Sequence, residues 1–130
     1  MSDTASWSIA PFFYVRDVVT SANYYRDTLG FHYNRLWNEP PSFAMVKRGG
    51  IVIMLSQNEV RDVIRHNREV DPDGGAWDAY VWVDDVDALY TEYKAKRVTI
   101  VREPRNQEYG CRDFEIDDIN GYRLCFGTPI

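Results

Sequence analysis

The stretch DAYVWVDDVDALYTEYKAK, residues 78–96, decides the fold that this sequence predicts. Residues 78–83 are rich in the aromatic and β-branched side chains that favour a strand. Asp85 then suits the N-cap of a helix. The apolar residues that follow recur at helical spacing along one face: Val86, Leu89, Tyr90 and Tyr93. The stretch therefore predicts a strand that leads directly into a capped amphipathic helix.

A near copy of this pattern lies earlier in the chain, in APFFYVRDVVTSANYYRDTLG, residues 10–30. Residues 10–15 favour a strand, and Asp17 suits an N-cap. The apolar residues of the following helix are spaced by four, three and four: Val18, Ala22, Tyr25 and Leu29. Gly30 stands where a glycine ends a helix in the left-handed conformation.

Each helix is followed by three strand-like runs. In the first half these runs are FHYNRLW, SFAMVKR and IVIMLSQ, and in the second half they are VTIVREP, RDFEID and YRLCFG. The halves keep a register, since Asp17 and Asp85 are 68 residues apart, and GIVIML at 50–55 and GYRLCF at 121–126 are 71 apart. Such a duplication constrains the whole chain at once.

The sequence thus predicts an α+β fold built from two βαβββ modules in tandem. Module one spans about residues 8–57 and module two about residues 77–128. A polar linker of about 58–76 joins them, with a short helix expected near 58–66 and a turn at DPDGG.

Composition excludes several classes of protein. The net charge of −5 and the lack of a basic stretch argue against nucleic acid as a partner. No apolar run approaches the roughly 20 residues that span a bilayer, and the N-terminal residues do not resemble a secretory signal. Cys111 and Cys125 are too few for a disulfide framework, so we expect both to be reduced in the cytoplasm.

Alternation along the predicted strands divides each sheet into two faces. One set, exemplified by Val81 and Val83, is apolar and suited to packing under the helices. The other set mixes aromatic rings with polar groups, as ligand cavities do: Phe12, Tyr14, Met54, Asp78, Tyr80, Trp82 and Cys125. Burial against another protomer is the alternative use of the same surface.

The chain resembles the vicinal oxygen chelate superfamily, which includes glyoxalase I, extradiol dioxygenases and bleomycin-resistance proteins. The matching segments are VRDVVTSANYYRDTLGF at 15–31, WDAYVWVDDVDALYTEY at 77–93 and EYGCRDFEIDDINGYRLCFG at 108–127. The resemblance implies curved sheets around a central cavity, commonly in a homodimer.

Metal-dependent members of that superfamily place one ligand on each of four strands. The matching positions here are Ala10, Met54, Asp78 and Cys125. This set offers one carboxylate, one neutral thiol and no imidazole, which is short of the three firm protein donors that a divalent ion requires. His32 and His66 fall outside it, in expected surface or turn segments. We therefore predict no metal site and no cofactor.

In character the chain is most similar to the bleomycin-resistance type, which sequesters a cationic aromatic drug without altering it. On this resemblance Trp37, Tyr80, Trp82 and Tyr109 are expected to stack on planar rings. Asp78, Asp113 and Glu115 are expected to meet positive charge. The predicted ligand-binding set is Phe12, Tyr14, Trp37, Met54, Asp78, Tyr80, Trp82, Tyr109 and Cys125.

Two other functions remain open from the sequence. One is a glyoxalase-like lyase or isomerase, or a dioxygenase relative, that acts through Asp78 as a lone base or through a relocated metal. No HExxH, CxxC, GxSxG or P-loop pattern supports it, and no histidine is placed to activate Cys125. The other is a scaffold without a ligand of its own. We favour the binding protein and predict no catalytic residue.

Overall fold

A computed structural model describes residues 8–58, 66–69 and 74–130, except for the side chain of Arg68. The chain divides into two compact units, Met1–Arg61 and Asp62–Ile130. Within the described residues, neither helix has the length and apolar character needed to cross a membrane.

The first unit holds module one. Its elements are β1 (Phe12–Val15), α1 (Val18–Asp27), β2 (Leu36–Trp37), β3 (Phe43–Arg48) and β4 (Ile51–Gln57). The sheet order is β1-β4-β3-β2, with β1 parallel to β4 and the other pairs antiparallel.

The second unit holds module two. A short 3-10 helix (Asn67–Glu69) precedes β5 (Ala79–Trp82), α2 (Val86–Ala95), β6 (Thr99–Asn106), β7 (Cys111–Asp117) and β8 (Arg123–Pro129). The sheet order is β5-β8-β7-β6, again with only the first pair parallel. Both modules therefore have the predicted βαβββ order.

The predicted repeat register is confirmed at the helix starts and in the sheets. Asp17 accepts a hydrogen bond from the Thr20 N–H at 3.0 Å, and Asp85 accepts one from the Ala88 N–H at 3.1 Å. In the parallel strand pairs, Phe12 lies beside Met54, and Tyr80 lies beside Cys125. These pairs are related by the same offsets, 68 for the first strand and 71 for the last.

The helix faces also match the prediction. All four residues expected on the buried face of the first helix are fully buried: Val18, Ala22, Tyr25 and Leu29. In α2 the structure buries Val86, Leu89 and Tyr93, while Tyr90 is half-buried with its ring 5.4 Å from that of Phe114. Burial of such apolar stripes is the main source of helix stability in a domain of this size.

One local expectation turns out differently, and another lies outside the described residues. The run FHYNRLW was predicted as one strand, but only Leu36–Trp37 pairs with β3 as a strand, while His32 makes a single bridge to Lys47. The intervening segment is polar, and the Tyr33 hydroxyl donates to the Asn23 side chain of α1 at 2.6 Å instead of following the sheet. The helix predicted near 58–66 lies outside the described residues, as does most of the DPDGG turn.

Candidate functional site

Each sheet has one face packed under its own helix and one face turned away from it, which we call the open face. In module two the rings of Phe114 and Phe126 lie 6.3 and 5.6 Å from that of Tyr93 in α2, which identifies the helix side. The alternate strand positions form the open face of module two: Tyr80, Trp82, Arg102, Arg105, Asp113, Glu115, Cys125 and Gly127.

Asp113 lies at the centre of this face and is only 2 % exposed. Its Oδ2 accepts hydrogen bonds from the Tyr80 hydroxyl at 2.9 Å and from the Tyr109 hydroxyl, and its Oδ1 accepts one from the Gln107 amide at 3.0 Å. A buried carboxylate needs such donors to offset its lost hydration. Three neutral groups, one from β5 and two from the loop between β6 and β7, thus converge on one carboxylate.

The two tyrosines act only as donors in this network. Burial raises the pKa of Tyr80, and its hydrogen bond to Asp113 raises that pKa further. The pKa of Tyr109 is raised by the same two causes in the same order. Both phenols therefore keep their protons throughout the physiological range, and neither is prepared to act as a base or nucleophile.

Gly127 makes room for this arrangement. A Cβ atom placed on Gly127 would overlap the hydroxyl and the adjoining ring carbon of Tyr80. Because Gly127 has no side chain, the Tyr80 ring can cross β8 and reach Asp113 on β7. The glycine is therefore a positioning residue for the hydrogen-bond network.

The glycines at 74 and 75 lie over the second buried carboxylate of the open face, that of Glu115. Glu115 is buried, and its Oε1 accepts a hydrogen bond from the Gly75 N–H at 3.0 Å. The adjacent Gly74, at a φ of +120°, lies so close to Arg102 that a Cβ there would meet the guanidinium. The turn before β5 thus packs on the open face through its backbone.

Cys125 is fully buried beside these carboxylates. Burial raises the pKa of its thiol, and the charges of Asp113 and Glu115 raise it further, against a smaller lowering effect of Arg102. The thiolate is the reactive form of cysteine, so this environment disfavours nucleophilic chemistry at Cys125.

The β5 edge of the face presents aromatic surface to solvent. Trp82 is 61 % exposed, and its ring centroid lies 4.7 Å from that of Tyr80. The Trp77 ring packs edge-on against that of Tyr80, at 5.3 Å. The arrangement provides a fixed aromatic surface on which a planar ring can stack.

The predicted ligand-binding residues of module one form a separate aromatic group on its own open face. Phe12 packs edge-on against Tyr14 at 5.3 Å, and Trp37 packs edge-on against Phe43 at 5.4 Å. The Arg35 guanidinium lies 4.5 Å from the centre of the Trp37 ring. Met54 is half-buried between β1 and β3, beside Phe12.

Asp78 has a structural role at the start of β5. Its Oδ2 accepts a hydrogen bond from the Arg123 N–H at 2.8 Å, and its Oδ1 accepts one from the Asn67 N–H at 3.2 Å. These bonds tie the segment before β5 to the end of the sheet. Both carboxylate oxygens are therefore already engaged by the backbone, which leaves Asp78 less suited to meet a ligand than its position in the sequence suggested.

His66 was expected at a surface or turn position, and the structure places it in a turn with little of its side chain exposed. It begins the short turn at 66–69, but its side chain is only 11 % exposed, and its ring packs edge-on against Tyr122 at 4.6 Å. The aromatic partner comes from a distant part of the chain, which explains why the local sequence did not predict this burial.

The residues at the four superfamily metal positions do not fit a divalent ion. Ala10 has no donor, Met54 offers a thioether, and the Asp78 oxygens accept backbone hydrogen bonds. The raised pKa of Cys125 favours its neutral form, which is a poor ligand. Across residues 8–58, 66–69 and 74–130, no group of three or more His, Cys, Asp or Glu side chains is arranged to hold a metal.

Sequence reasoning missed four participants in the site: Arg102, Arg105, Gln107 and Gly127. Strand alternation puts Gly127 on the same face as Cys125, so its position could be predicted from the sequence. Its role in making room for Tyr80 could not. Gln107 has no sequence signal, since a loop brings its amide to Asp113. The arginines depend on irregular strand pairing in β6.

Comparison with protein families gives a match along nearly the whole chain. The model of the family described as Glyoxalase/Bleomycin resistance protein/Dioxygenase superfamily matches residues 8–126. A comparison with curated proteins found no significant match.

Several solved structures share the fold. TioX from Micromonospora sp. ML1 is 18 % identical, with a TM-score of 0.74 and coverage of 96 % of this chain and 100 % of its own. The bleomycin-binding protein of bleomycin-producing Streptomyces verticillus, complexed with copper(II)-bleomycin, is 23 % identical, with a TM-score of 0.66 and coverage of 95 % and 94 %. The bleomycin resistance determinant encoded on transposon Tn5 is 17 % identical, with a TM-score of 0.72 and coverage of 95 % and 98 %.

Proposed function

The chain belongs to the Glyoxalase/Bleomycin resistance protein/Dioxygenase superfamily, and from this premise we propose that it is a metal-independent binding protein of the bleomycin-resistance type. It sequesters a small aromatic or cationic ligand without altering it. In a cell this activity confers resistance to a toxic compound such as a glycopeptide antibiotic. Two solved structures of the same fold are bleomycin-binding proteins with bleomycin bound, which supports the choice of ligand class.

One observation carries the proposal. The open face of module two sets an exposed indole, Trp82, beside the Tyr80 ring, whose hydroxyl donates to the buried carboxylate of Asp113. Ligand sites combine apolar walls with a few fixed polar groups, and this face has both. The hydrogen bond to Asp113 holds the Tyr80 ring in place before a ligand arrives, so less entropy is lost on binding.

Binding without a metal is supported by the chemistry of the side chains. The superfamily metal positions lack suitable donors, and the raised pKa of Cys125 disfavours a reactive thiolate. The competing hypothesis is a glyoxalase-like lyase or isomerase, or a dioxygenase relative, with a relocated metal. Elemental analysis of protein purified without chelator separates the two, because stoichiometric zinc, nickel, manganese or iron would contradict metal-independent binding.

We further propose a cytoplasmic homodimer with the ligand cavity at its interface. Phe12 is 51 % exposed and packs against Tyr14, which is also exposed, so module one leaves apolar surface for a partner to cover. Sedimentation velocity tests this directly. The wild-type protein is expected to sediment as a dimer, and the Phe12→Ser/Tyr14→Ser double variant as a monomer; a wild-type monomer at micromolar concentration would contradict the proposal.

Calorimetric titration with bleomycin, metal-free and copper(II)-bound, tests the proposed function. We expect binding of at least one form, and Trp82→Ala should weaken it by roughly tenfold, or about 1.4 kcal/mol. Ile119→Ala is the matched control, since Ile119 is an exposed apolar residue of module two in the turn before β8. Equal affinities of the Trp82→Ala variant and the wild type would show that the ligand does not bind at the open face of module two.

A further inference from the structure

Strand β6 carries two arginines that the proposed function does not use. In the backbone pairing of β6 with β7, Arg102 lies opposite Glu115 and Arg105 lies opposite Asp113. Three residues along β6 therefore correspond to two residues along β7. In a regular strand, residues three apart point to opposite faces. The irregular pairing between them is a bulge, which returns Arg105 to the same face as Arg102. Bulges of this kind commonly re-aim a side chain toward a site.

Arg102 is held in position by the glycine turn. Its guanidinium and the adjoining side-chain carbon lie directly against Gly74, where any larger residue would collide with them. Gly74 also has a φ of +120°, which side chains with a Cβ rarely adopt. The turn therefore both requires glycine and restricts the arginine. A restricted guanidinium loses less entropy when it binds a partner.

A cavity of about 380 Å³ opens beside these side chains, lined by Arg102, Glu103, Pro104 and Arg105. In the part of the chain that the structure describes, neither guanidinium forms an ion pair with a carboxylate. Glu103, the one anionic residue of the lining, is exposed, and the two arginines outnumber it. The lining thus presents two forked donors to the cavity.

We propose that this cavity is a subsite for an anionic oxygen group, a carboxylate or a phosphate. The planar guanidinium matches both groups through paired hydrogen bonds. The inference rests on the proposed function, because it adds an anionic substituent to the aromatic ligand that stacks on Trp82. Strands β5 and β6 are the two edges of a four-stranded sheet. The ring and the anion are therefore separated by three strand spacings, about 14 Å between backbones.

A matched pair of probes tests the subsite. 4-Phenylbenzoate carries an aromatic system and a carboxylate, and 4-phenylbenzamide is its neutral analogue. We expect the carboxylate to bind about tenfold more tightly than the amide, a difference of about 1.4 kcal/mol. It should also shift the side-chain Nε–H resonances of Arg102 and Arg105 in ¹⁵N-edited NMR spectra, and the preference should shrink as salt is raised.

Variants locate the effect. Arg102→Gln and Arg105→Gln should each reduce the preference for the carboxylate, while Arg97→Gln, an exposed residue between α2 and β6, should leave it unchanged. Arg97→Gln removes the same charge, so it controls for net charge. Arg105 is exposed, and its variant remains informative if Arg102→Gln loses stability through its contact with Gly74.

The outcomes separate the two hypotheses. If carboxylate and amide bind equally and both are weakened by Trp82→Ala, the subsite is wrong and the proposed function stands. If the carboxylate shifts both arginine resonances but Trp82→Ala has no effect, the subsite stands and the aromatic site is wrong. Absence of any shift at Arg102 and Arg105 with saturating carboxylate overturns the subsite.

Discussion

In module one, β3 places Phe43 and Met45 on the open face, and in module two the corresponding strand, β7, places Asp113 and Glu115 there. The correspondence follows from pairing, because Met45 lies beside Met54 as Glu115 lies beside Cys125. Two other equivalent pairs differ in the same direction, Phe12 against Tyr80 and Met54 against Cys125, while Ser56 of module one is the equivalent of Gly127. The open face of module one is mainly apolar, and the open face of module two carries buried carboxylates.

The helix-facing positions show no such divergence. Tyr25 and Tyr93 occupy equivalent places on α1 and α2, and both are fully buried. A face that must bury its own helix is restricted to apolar residues, whereas a face turned away from the helix is free to vary. The two modules therefore differ mainly on their open faces, and the buried carboxylates lie on the open face of module two.

The largest expected effect tests the equivalence of the helix faces. Tyr25→Ala and Tyr93→Ala each remove a fully buried aromatic ring, and each should lower the free energy of unfolding by about 3–5 kcal/mol. Urea denaturation followed by circular dichroism measures both. If the two losses in free energy of unfolding differ by more than about 2 kcal/mol, the buried helix faces do not contribute equally to stability. Thr91→Ala, an exposed change on α2, provides the reference for a minor effect.

A smaller effect is expected where the open faces differ. In Gly127→Ala the new methyl group displaces the Tyr80 ring and breaks its bond to Asp113, so we expect a loss of about 1–2 kcal/mol. Ser56→Ala changes the equivalent position of module one and should cost less than about 0.5 kcal/mol. Denaturation midpoints measure both.

The Tyr80→Phe background identifies the cause of that loss. Without its hydroxyl, Tyr80→Phe has neither the bond to Asp113 nor the atom that meets the new methyl group first. Gly127→Ala should therefore cost less in this background than in the wild type. Additive effects of the two substitutions would mean that the glycine does not act through the tyrosine.

Most of the fold was predictable because its signals are local and occur twice. Asp17 and Asp85 cap their helices as predicted, since a carboxylate before an apolar stripe needs no distant partner. The duplication also fixed which strand residues are equivalent. The prediction for residues 31–37 was wrong because side-chain contacts to α1 compete there with strand pairing.

The site was predictable only in part, because its geometry depends on long-range contacts. Strand alternation placed Tyr80, Trp82 and Cys125 on one face. It could not show that Tyr109 and Gln107 reach back from a loop to Asp113. Nor could it show the bulge that turns Arg105 toward the open face, because a bulge breaks the alternation on which the prediction rested.

The smallest effect concerns pH and again contrasts equivalent positions, Cys125 and Met54. Burial and the carboxylates of Asp113 and Glu115 raise the pKa of Cys125 in the folded protein. An unfolded thiol titrates near pH 8.5, so the folded state holds the proton that the unfolded state releases above that pH. This contribution to stability is complete below pH 8.5 or so and is lost as the pH rises toward the folded pKa. We expect a loss of about 1 kcal/mol near pH 9.5.

Urea denaturation between pH 7.5 and 10 measures this dependence. Cys125→Ala removes the titrating thiol and should flatten the decline, even though the substitution shifts stability at every pH. Met54→Leu alters the equivalent site of module one, where no proton is exchanged, and should leave the slope of the wild type intact. If Cys125→Ala and the wild type decline with the same slope, the carboxylates of the open face do not act on this thiol, and the electrostatic contrast between the two modules is smaller than their residues indicate.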